Sequence, residues 1–384
     1  MSGYPWDVRI AKIADYLVAS GHEVHILCRS SRGRPETEEF HGTMVHRTCF
    51  LGRNLGRLNR IADLPFPLNP LWFFRIRKLI ASEGINLLII RDIPLSLPSI
   101  LAAKQAKIPT ILDMAEHYAA MFRDFIADSS PLKRVPRWLL KNPIIADVVE
   151  KVAVRHTDRV FVVVEESRDR LMVRGVPAEK ISIVGNTPPL STATTGTKAL
   201  PEAPKLVYVG QLQFSRGIQT VIRAISLLKQ NSRDVHFYLA GWGEQGEYFK
   251  RLIAELGLVK QVHHLGFIDP EEVYELINSC DYGIIPHLDT AHIRTTIPNK
   301  LFDYMLCSKP VVVSAVGPLE RIVRECGCGV AFEAGNERDL AAVLSRLIDD
   351  GHAEELGKNG RFAVTEKYNW QNDCEKISQV LKHI

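Results

Sequence analysis

Residues 298–314 read PNKLFDYMLCSKPVVVS: Pro298-Asn299-Lys300-Leu301-Phe302-Asp303-Tyr304-Met305, a break across Cys307-Ser308-Lys309-Pro310, then Val311-Val312-Val313-Ser314. The pattern predicts a short helix opening on Pro-Asn and, after it, a buried strand. Pro suits a helix start because its missing N–H would be unpaired there anyway. The start of a helix offers free backbone N–H groups and a partial positive charge, which suits a diphosphate. Lys300 adds a full charge at that pole, and Asp303 stands one turn in, where a carboxylate can accept from ribose hydroxyls. The plainer readings are a surface lysine and a carboxylate that offsets the helix pole.

Working outward, the same alternation recurs. Leu206-Val207-Tyr208-Val209-Gly210, Val235 to Gly241, Val262 to Gly266, Tyr282 to Pro286 and Val330 to Phe332 read as strands, with helical patterns such as Ile218 to Gln230 between them. The first half repeats the scheme: Ile10 to Ser20 is helical, and Glu23 to Cys28, Ile85 to Ile90, Thr110 to Asp113 and Arg159 to Val164 are strand-like. Continuous apolar strands alternating with helices indicate parallel sheets covered on both faces. The expected fold class is therefore α/β, with two doubly wound Rossmann-like domains facing a cleft. A doubly wound domain normally opens on a strand, yet Met1 to Asp7 reads as the loop after one. The first strand of the N-terminal domain is expected to be missing. The Thr/Pro/Ala-rich stretch predicts domains at 1–188 and 205–368, a linker at 189–204, and a helix over 369–384 that packs back on the first domain.

The 384 residues are too many for one ordinary core, which fits two domains. Composition is 46% hydrophobic and 24% charged, with net charge +4, and no concentrated basic stripe calls for nucleic acid. Seven scattered cysteines point to free thiols in a reducing compartment. Cys326-Gly327-Cys328 is C-x-C without a second pair, so no zinc site is expected. No apolar run reaches membrane-span length and no signal-peptide pattern opens the chain, so the expected location is cytoplasmic. His263 and His264 sit within a strand pattern without partner ligands, which argues against a metal.

The ordered set Tyr208-Val209-Gly210, Arg216-Gly217-Ile218, Leu239-Ala240-Gly241-Trp242-Gly243, Val262 to Phe267, Cys280 to Pro286, residues 298–314, Gly317 to Val323, Gly327 to Val330 and Lys367 to Trp370 resembles the nucleotide-sugar domain of family 4 (group 1) glycosyltransferases, retaining enzymes of the GT-B architecture. Asp7-Val8-Arg9-Ile10, Gly21 to Val24, Ile90 to Asp92 and Asp113 to Glu116 extend the resemblance to the first half. It implies a retaining transferase that moves a sugar from a nucleotide-diphosphate sugar to a glycan or lipid-linked acceptor, in surface polysaccharide or glycolipid biosynthesis, without cofactor or metal. It implies cations for the leaving diphosphate. The family often places Arg and Lys at the positions of Gln211 and Arg216; Arg216 can serve, Gln211 cannot, and Lys300 takes over the missing charge. Of the family's paired acids, Asp303 matches the second, the ribose binder, and Thr295 stands in place of the first. Thr295 and Thr296 are then hydrogen-bonding groups for the sugar. Gly210, Gly217, Gly241, Trp242, Gly243, Gly266, Phe267, Asn299 and Leu301 complete the implied donor site. In the first domain the family's His falls on Ala115, and His117, two residues on, and Glu116 are the catalytic candidates. Asp7, Arg9, Arg91, Asp92 and Tyr118 are implied acceptor-side residues, with a loop-bracing ion-pair network as the equal alternative.

Two other functions stay open: an epimerase or hydrolase acting on the nucleotide sugar, and a non-catalytic nucleotide-sugar-binding homologue, which Gln211, Thr295 and Ala115 keep in view. Leu71 to Lys78 and Leu132 to Lys141 combine bulky apolar with basic residues. They read either as packed amphipathic helices or as peripheral contacts with anionic membrane at the inner face of the cell membrane.

Overall fold

The computed structural model describes residues 4, 7–30, 33–48, 69–192 and 196–384. The strands are β1 (Val24–Cys28), β2 (Thr37–Phe40), β3 (Thr43–Arg47), β4 (Leu88–Arg91), β5 (Thr110–Met114), β6 (Arg159–Val162) and β7 (Ile181–Ile183) in the first half. The second half holds β8 (Lys205–Val209), β9 (His236–Ala240), β10 (Val262–Gly266), β11 (Tyr282–Ile285), β12 (Val311–Ser314) and β13 (Gly329–Phe332). Helices separate most of them. The result is an α/β protein of two Rossmann-like domains.

The C-terminal sheet runs β10-β9-β8-β11-β12-β13, and every pairing is parallel. Strand order reverses between β8 and β11, so the carboxyl ends of these neighbours flank the crevice where such sheets bind ligands. Their apolar runs explain the placement. Leu206, Tyr208, Ile284 and Val312 are buried with Val221 and Ile225 of the helix Ile218–Gln230. Val207, Ile285 and Val313 pack on the opposite face with Leu301 and Met305 of the helix Lys300–Leu306. Both faces are therefore sealed.

The N-terminal strands form two sheets, a parallel β4-β5-β6-β7 and a mixed β1-β3-β2. The place expected for an opening strand precedes the helix Val8–Ala19, where residues 1–3 and 5–6 lie outside the described residues. Asp7 caps that helix, accepting from the N–H groups of Arg9 (3.1 Å) and Ile10 (3.2 Å), a contact worth ~1 kcal/mol. The β2–β3 hairpin and β7 were not expected from the sequence. The stretch between the domains has residues 193–195 outside the described set.

The chain crosses between domains twice. The helix Trp370–Leu381 packs on the N-terminal sheet, with Trp370 and Ile377 against Ile13, Ile111 and Phe161. Asp373 staples the two crossings, accepting from the Gly185 N–H (2.9 Å) and the Thr187 hydroxyl (2.6 Å). No helix among the described residues is long and apolar enough to cross a membrane.

Candidate active site

A cavity of about 370 Å³ opens between the domains. Its C-terminal wall comes from the ends of β8 and β11: Gly210, Gln211, Arg216 and His287, with Thr296, Asn299, Lys300 and Asp303 behind them. Ala115, Glu116 and Asn186 face them from the N-terminal domain.

The turn after β8 is shaped by glycine. Gly210 has φ 147°, and a Cβ there would stand 2.7 Å from Lys300 Nζ. Gly217 has φ 68°, and a Cβ would lie 1.7 Å from the Pro286 carbonyl oxygen. Any larger residue would push the Arg216 turn off the β11 end. The Leu288 N–H, donating to Ser215 O (2.9 Å), completes this seam.

The helix after Asn299 covers only Lys300–Leu306, seven residues. It is the short helix expected from the sequence, and at two turns its dipole is a smaller source of positive charge than the side chains beside it. Lys300 Nζ sits 3.8 Å from the centroid of the Tyr208 ring. Among the described residues, neither Lys300 nor Arg216 forms an ion pair with a carboxylate. Burial, then the charge of Arg216, pushes Lys300 well below the ordinary lysine pKa, and Asp303 opposes this only in part. Asp303 is held at its other side by Tyr274, whose hydroxyl donates to Oδ1 (2.9 Å). Burial raises the Asp303 carboxyl to about 6, against the pull of Tyr274, Lys12 and Lys300.

His287 was not singled out from sequence. It is fully buried, neither ring nitrogen has a hydrogen-bond partner among the described residues, and it contributes to the cavity wall. Burial, reinforced by Arg216 and Lys300, holds it neutral, well below the usual histidine pKa. It follows Pro286 at the end of β11, a position whose meaning depends on β11 lying beside β8.

Interdomain contacts shape the opposite rim. His292 Nε2 donates to Glu116 Oε2 (2.6 Å), the Thr290 hydroxyl to Asp124 Oδ2 (2.7 Å) and the Thr296 hydroxyl to Ala115 O (3.3 Å). Although burial works against its charge, the His292 contact keeps Glu116 below the usual carboxylate range. Thr295 lies near this seam, but its hydroxyl donates back to Ala291 O and His292 O (both 3.2 Å), and its carbonyl accepts from Ser167.

Several sequence candidates fall outside the cavity wall. His117 is buried, with both ring nitrogens lacking partners, and faces the helix Glu165–Val173; burial and then Arg170 and Arg174 lower it to about 3. Arg9 is 1% exposed, bonded to both Asp113 oxygens (2.6–3.0 Å) and to Val184 O and Gly185 O. It braces the first domain from within. Asp92, at φ 57°, accepts from the Ala115 N–H (3.2 Å) and the Tyr118 hydroxyl (3.3 Å) and pairs with Arg91 (2.7 Å). Burial raises its carboxyl to about 7 despite Arg91. Arg91 also reaches Asp7 (3.3 Å), so these residues form a loop-bracing network. Gly241, Trp242, Gly243 and Gly266 knit the ends of β8, β9 and β10. The Leu212 N–H donates to Trp242 O (2.9 Å) and the Gly241 N–H to Gly266 O (2.7 Å). The Trp242 and Phe267 side chains stand exposed at the ends of adjacent strands. Leu301 is fully buried and anchors its helix in the core.

The arrangement is thus a cleft at the switch point of a parallel sheet, lined by a lysine and an arginine that have no carboxylate partner among the described residues and by one neutral imidazole. Known proteins share the fold. The chain is 28% identical over 178 residues to an uncharacterized glycosyltransferase of Methanocaldococcus jannaschii, covering 46% of this chain and 44% of that one. It spans about half the length of the curated relatives it matches. Sucrose-phosphate synthase from Thermosynechococcus elongatus superimposes with a TM-score of 0.76 at 19% identity, covering 98% of this chain and 92% of that one. Anabaena HepE in complex with UDP gives 0.72 at 16% identity, covering 100% and 98%. The model of the 4-like glycosyl transferase domain matches residues 7–187, and that of glycosyl transferases group 1 matches residues 196–362. The two models take one domain each and meet where the chain passes between them: this chain belongs to the group 1 glycosyltransferase family.

Proposed function

We propose that the protein is a glycosyltransferase that moves a sugar from a nucleoside-diphosphate sugar to a glycan or lipid-linked acceptor, with retention of anomeric configuration. One observation carries this reading: Lys300 and Arg216, which have no carboxylate partner among the described residues, converge with neutral His287 on one wall of the cavity. Two positive charges and a hydrogen-bond donor match the negative charge that grows on a departing diphosphate. In this reading the bond between sugar C1 and the phosphate oxygen breaks, and its electron pair leaves with the diphosphate. C1 bonds to the acceptor hydroxyl oxygen, whose proton passes to a diphosphate oxygen. Arg216 and Lys300 hold the diphosphate without a metal. His287 donates to it through one ring N–H. Asp303 accepts from the ribose, and Trp242 and Phe267 flank the base. Glu116 orients the acceptor side through His292.

Structural likeness to HepE, a protein solved with UDP, makes UDP the first probe. A thermal-shift series with UDP, GDP, ADP and TDP tests the donor site. One or two of them should stabilise the protein, by RT ln(1 + [L]/Kd), and Lys300→Ala and Asp303→Ala should lose the effect. No stabilisation by any of the four would defeat the reading. Release of free sugar or an isomerised donor with no acceptor present would favour the hydrolase or epimerase alternative.

A further inference from the structure

Residues 131–148 invert the usual arrangement of surface helices. In the helix Pro131–Leu140, Leu132 is 92% exposed, and Val135, Trp138, Leu139 and Leu140 are exposed with it. Two of the basic side chains, Arg137 and Lys141, turn inward, while Lys133 and Arg134 stay exposed. The Arg137 guanidinium lies 4.6 Å from the Phe125 ring centroid and bonds Glu244 (2.5 Å). Lys141 Nζ lies 3.6 Å from the same ring, and Arg134 donates to Ser129 O (3.3 Å). The next helix, Pro143–His156, continues the apolar face with Ile144, Ile145 and Val148, while Ala146 and Val149 on its other side pack with Ala119. A single exposed leucine needs no explanation, whereas a contiguous apolar surface of this kind marks a contact site.

Charge says what kind of contact. The exposed Lys133 and Arg134 flank the apolar face, and no acid occurs from 131 to 146. Glu244, from the second domain, pairs with Arg137 (2.5 Å) and Lys133 (3.7 Å), which leaves Arg134 and Lys141 without a carboxylate partner among the described residues. The next acids, Asp147 and Glu150, are paired with Arg174 and Arg170. Lysine is depleted from protein–protein interfaces. Basic residues whose stems pass along an apolar surface, beside Trp and Leu, suit the headgroup region of an anionic bilayer. The segment Leu71–Lys78 differs: Trp72 and Ile76 are buried in the core.

The face also sits where the domains meet. Asp128, next to Ser129, accepts from the Ser215 N–H (3.2 Å) and, through its carbonyl, from Gln245 (3.3 Å). Ser215 adjoins Arg216 of the cavity wall. We propose that residues 131–148 form a docking surface for anionic lipid that holds the cleft at the bilayer, where a lipid-linked acceptor reaches it. The docking stands on these residues alone; the acceptor clause rests on the transferase reading.

Flotation with phosphatidylcholine vesicles, with and without about 30 mol% phosphatidylglycerol, tests it. The protein should float with the anionic vesicles and bind at least about tenfold less to neutral vesicles or at about 0.5 M salt. Leu132→Glu/Leu139→Glu, at exposed positions, should reduce binding at least about tenfold while keeping the wild-type melting temperature. Val259→Glu, exposed elsewhere, should bind as wild type. No flotation of the wild type, or equal flotation of the double variant, overturns the proposal. So does a wild-type dimer that the double variant converts to monomer without lipid binding, which would make the face a self-association surface. Flotation without stabilisation by any nucleotide would keep the docking and overturn the acceptor clause.

Discussion

Replacing Lys300 by methionine separates the empty site from the occupied one. In the empty protein its ammonium meets an aromatic face and, beyond it, the like charge of Arg216. Burial makes that charge unfavourable, so Lys300→Met should leave the empty protein as stable as wild type or more so, by ~1 kcal/mol. With a nucleoside diphosphate bound, the lysine gains an anion, and its pKa rises back toward the ordinary value. A charge-assisted hydrogen bond is worth ~1.5–3 kcal/mol, so UDP binding should weaken by about 10- to 150-fold in the variant. Proton linkage gives a sharper sign. Between the low pKa of the empty protein and the higher one of the complex, binding takes up to one proton. Affinity then falls by at most about tenfold per pH unit as pH rises through that window. The same shift makes the empty wild type more stable as pH rises toward the unfolded lysine value, because the unfolded chain binds the extra proton. Lys300→Met loses both slopes. Calorimetry of UDP binding in two buffers of different ionisation enthalpy reads the proton count directly. A variant that binds UDP within about threefold of wild type, with the same proton uptake, would refute the assignment of Lys300 as the diphosphate cation.

Three further outcomes follow from other side chains. Asp303 titrates near 6, so UDP affinity should fall as pH drops through that value and its carboxylate gains a proton. In Asp303→Asn this dependence disappears, and UDP and 2′-deoxy-UDP bind within about twofold of each other by fluorescence competition. His287→Ala should lower kcat/KM by about 10- to 100-fold, with partial recovery in His287→Gln, which restores an N–H donor, as read by initial rates. Arg9→Ala strands the buried Asp113 carboxylate and should cost ~3–5 kcal/mol in urea unfolding, because the uncompensated charge is the dominant loss.

Where strands are buried on both faces, the sequence declares them. Val311-Val312-Val313 and Leu206-Val207-Tyr208 are continuous apolar runs because helices cover both sides of their sheet. The hairpin of β2 and β3 escaped this test. Thr37-Glu38-Glu39-Phe40 is a charged edge strand, and its turn, His41-Gly42 with φ 49° and 71°, uses histidine where Asn or Asp would signal the turn. β7 is three residues long and too short to show a period. The cavity wall divides in the same way. Gly210, Arg216, Lys300 and Asp303 lie in local patterns of glycine, charge and helix start that can be read along the chain. His287 and His292 have no such pattern. Their positions are set by which strands become neighbours and by how the domains meet across Glu116, and neither relation is encoded within a few residues.

The staple at Asp373 has a mechanical consequence. Because Trp370–Leu381 returns to the first domain and Asp373 grips Gly185 and Thr187, the two halves are fastened at a second point besides the connector near residue 200. Tension between the domains is shared by two parallel tethers. A chain nicked in the connector would therefore stay assembled as a two-fragment complex, and the fragments would come apart only when the C-terminal helix is pulled from its seat.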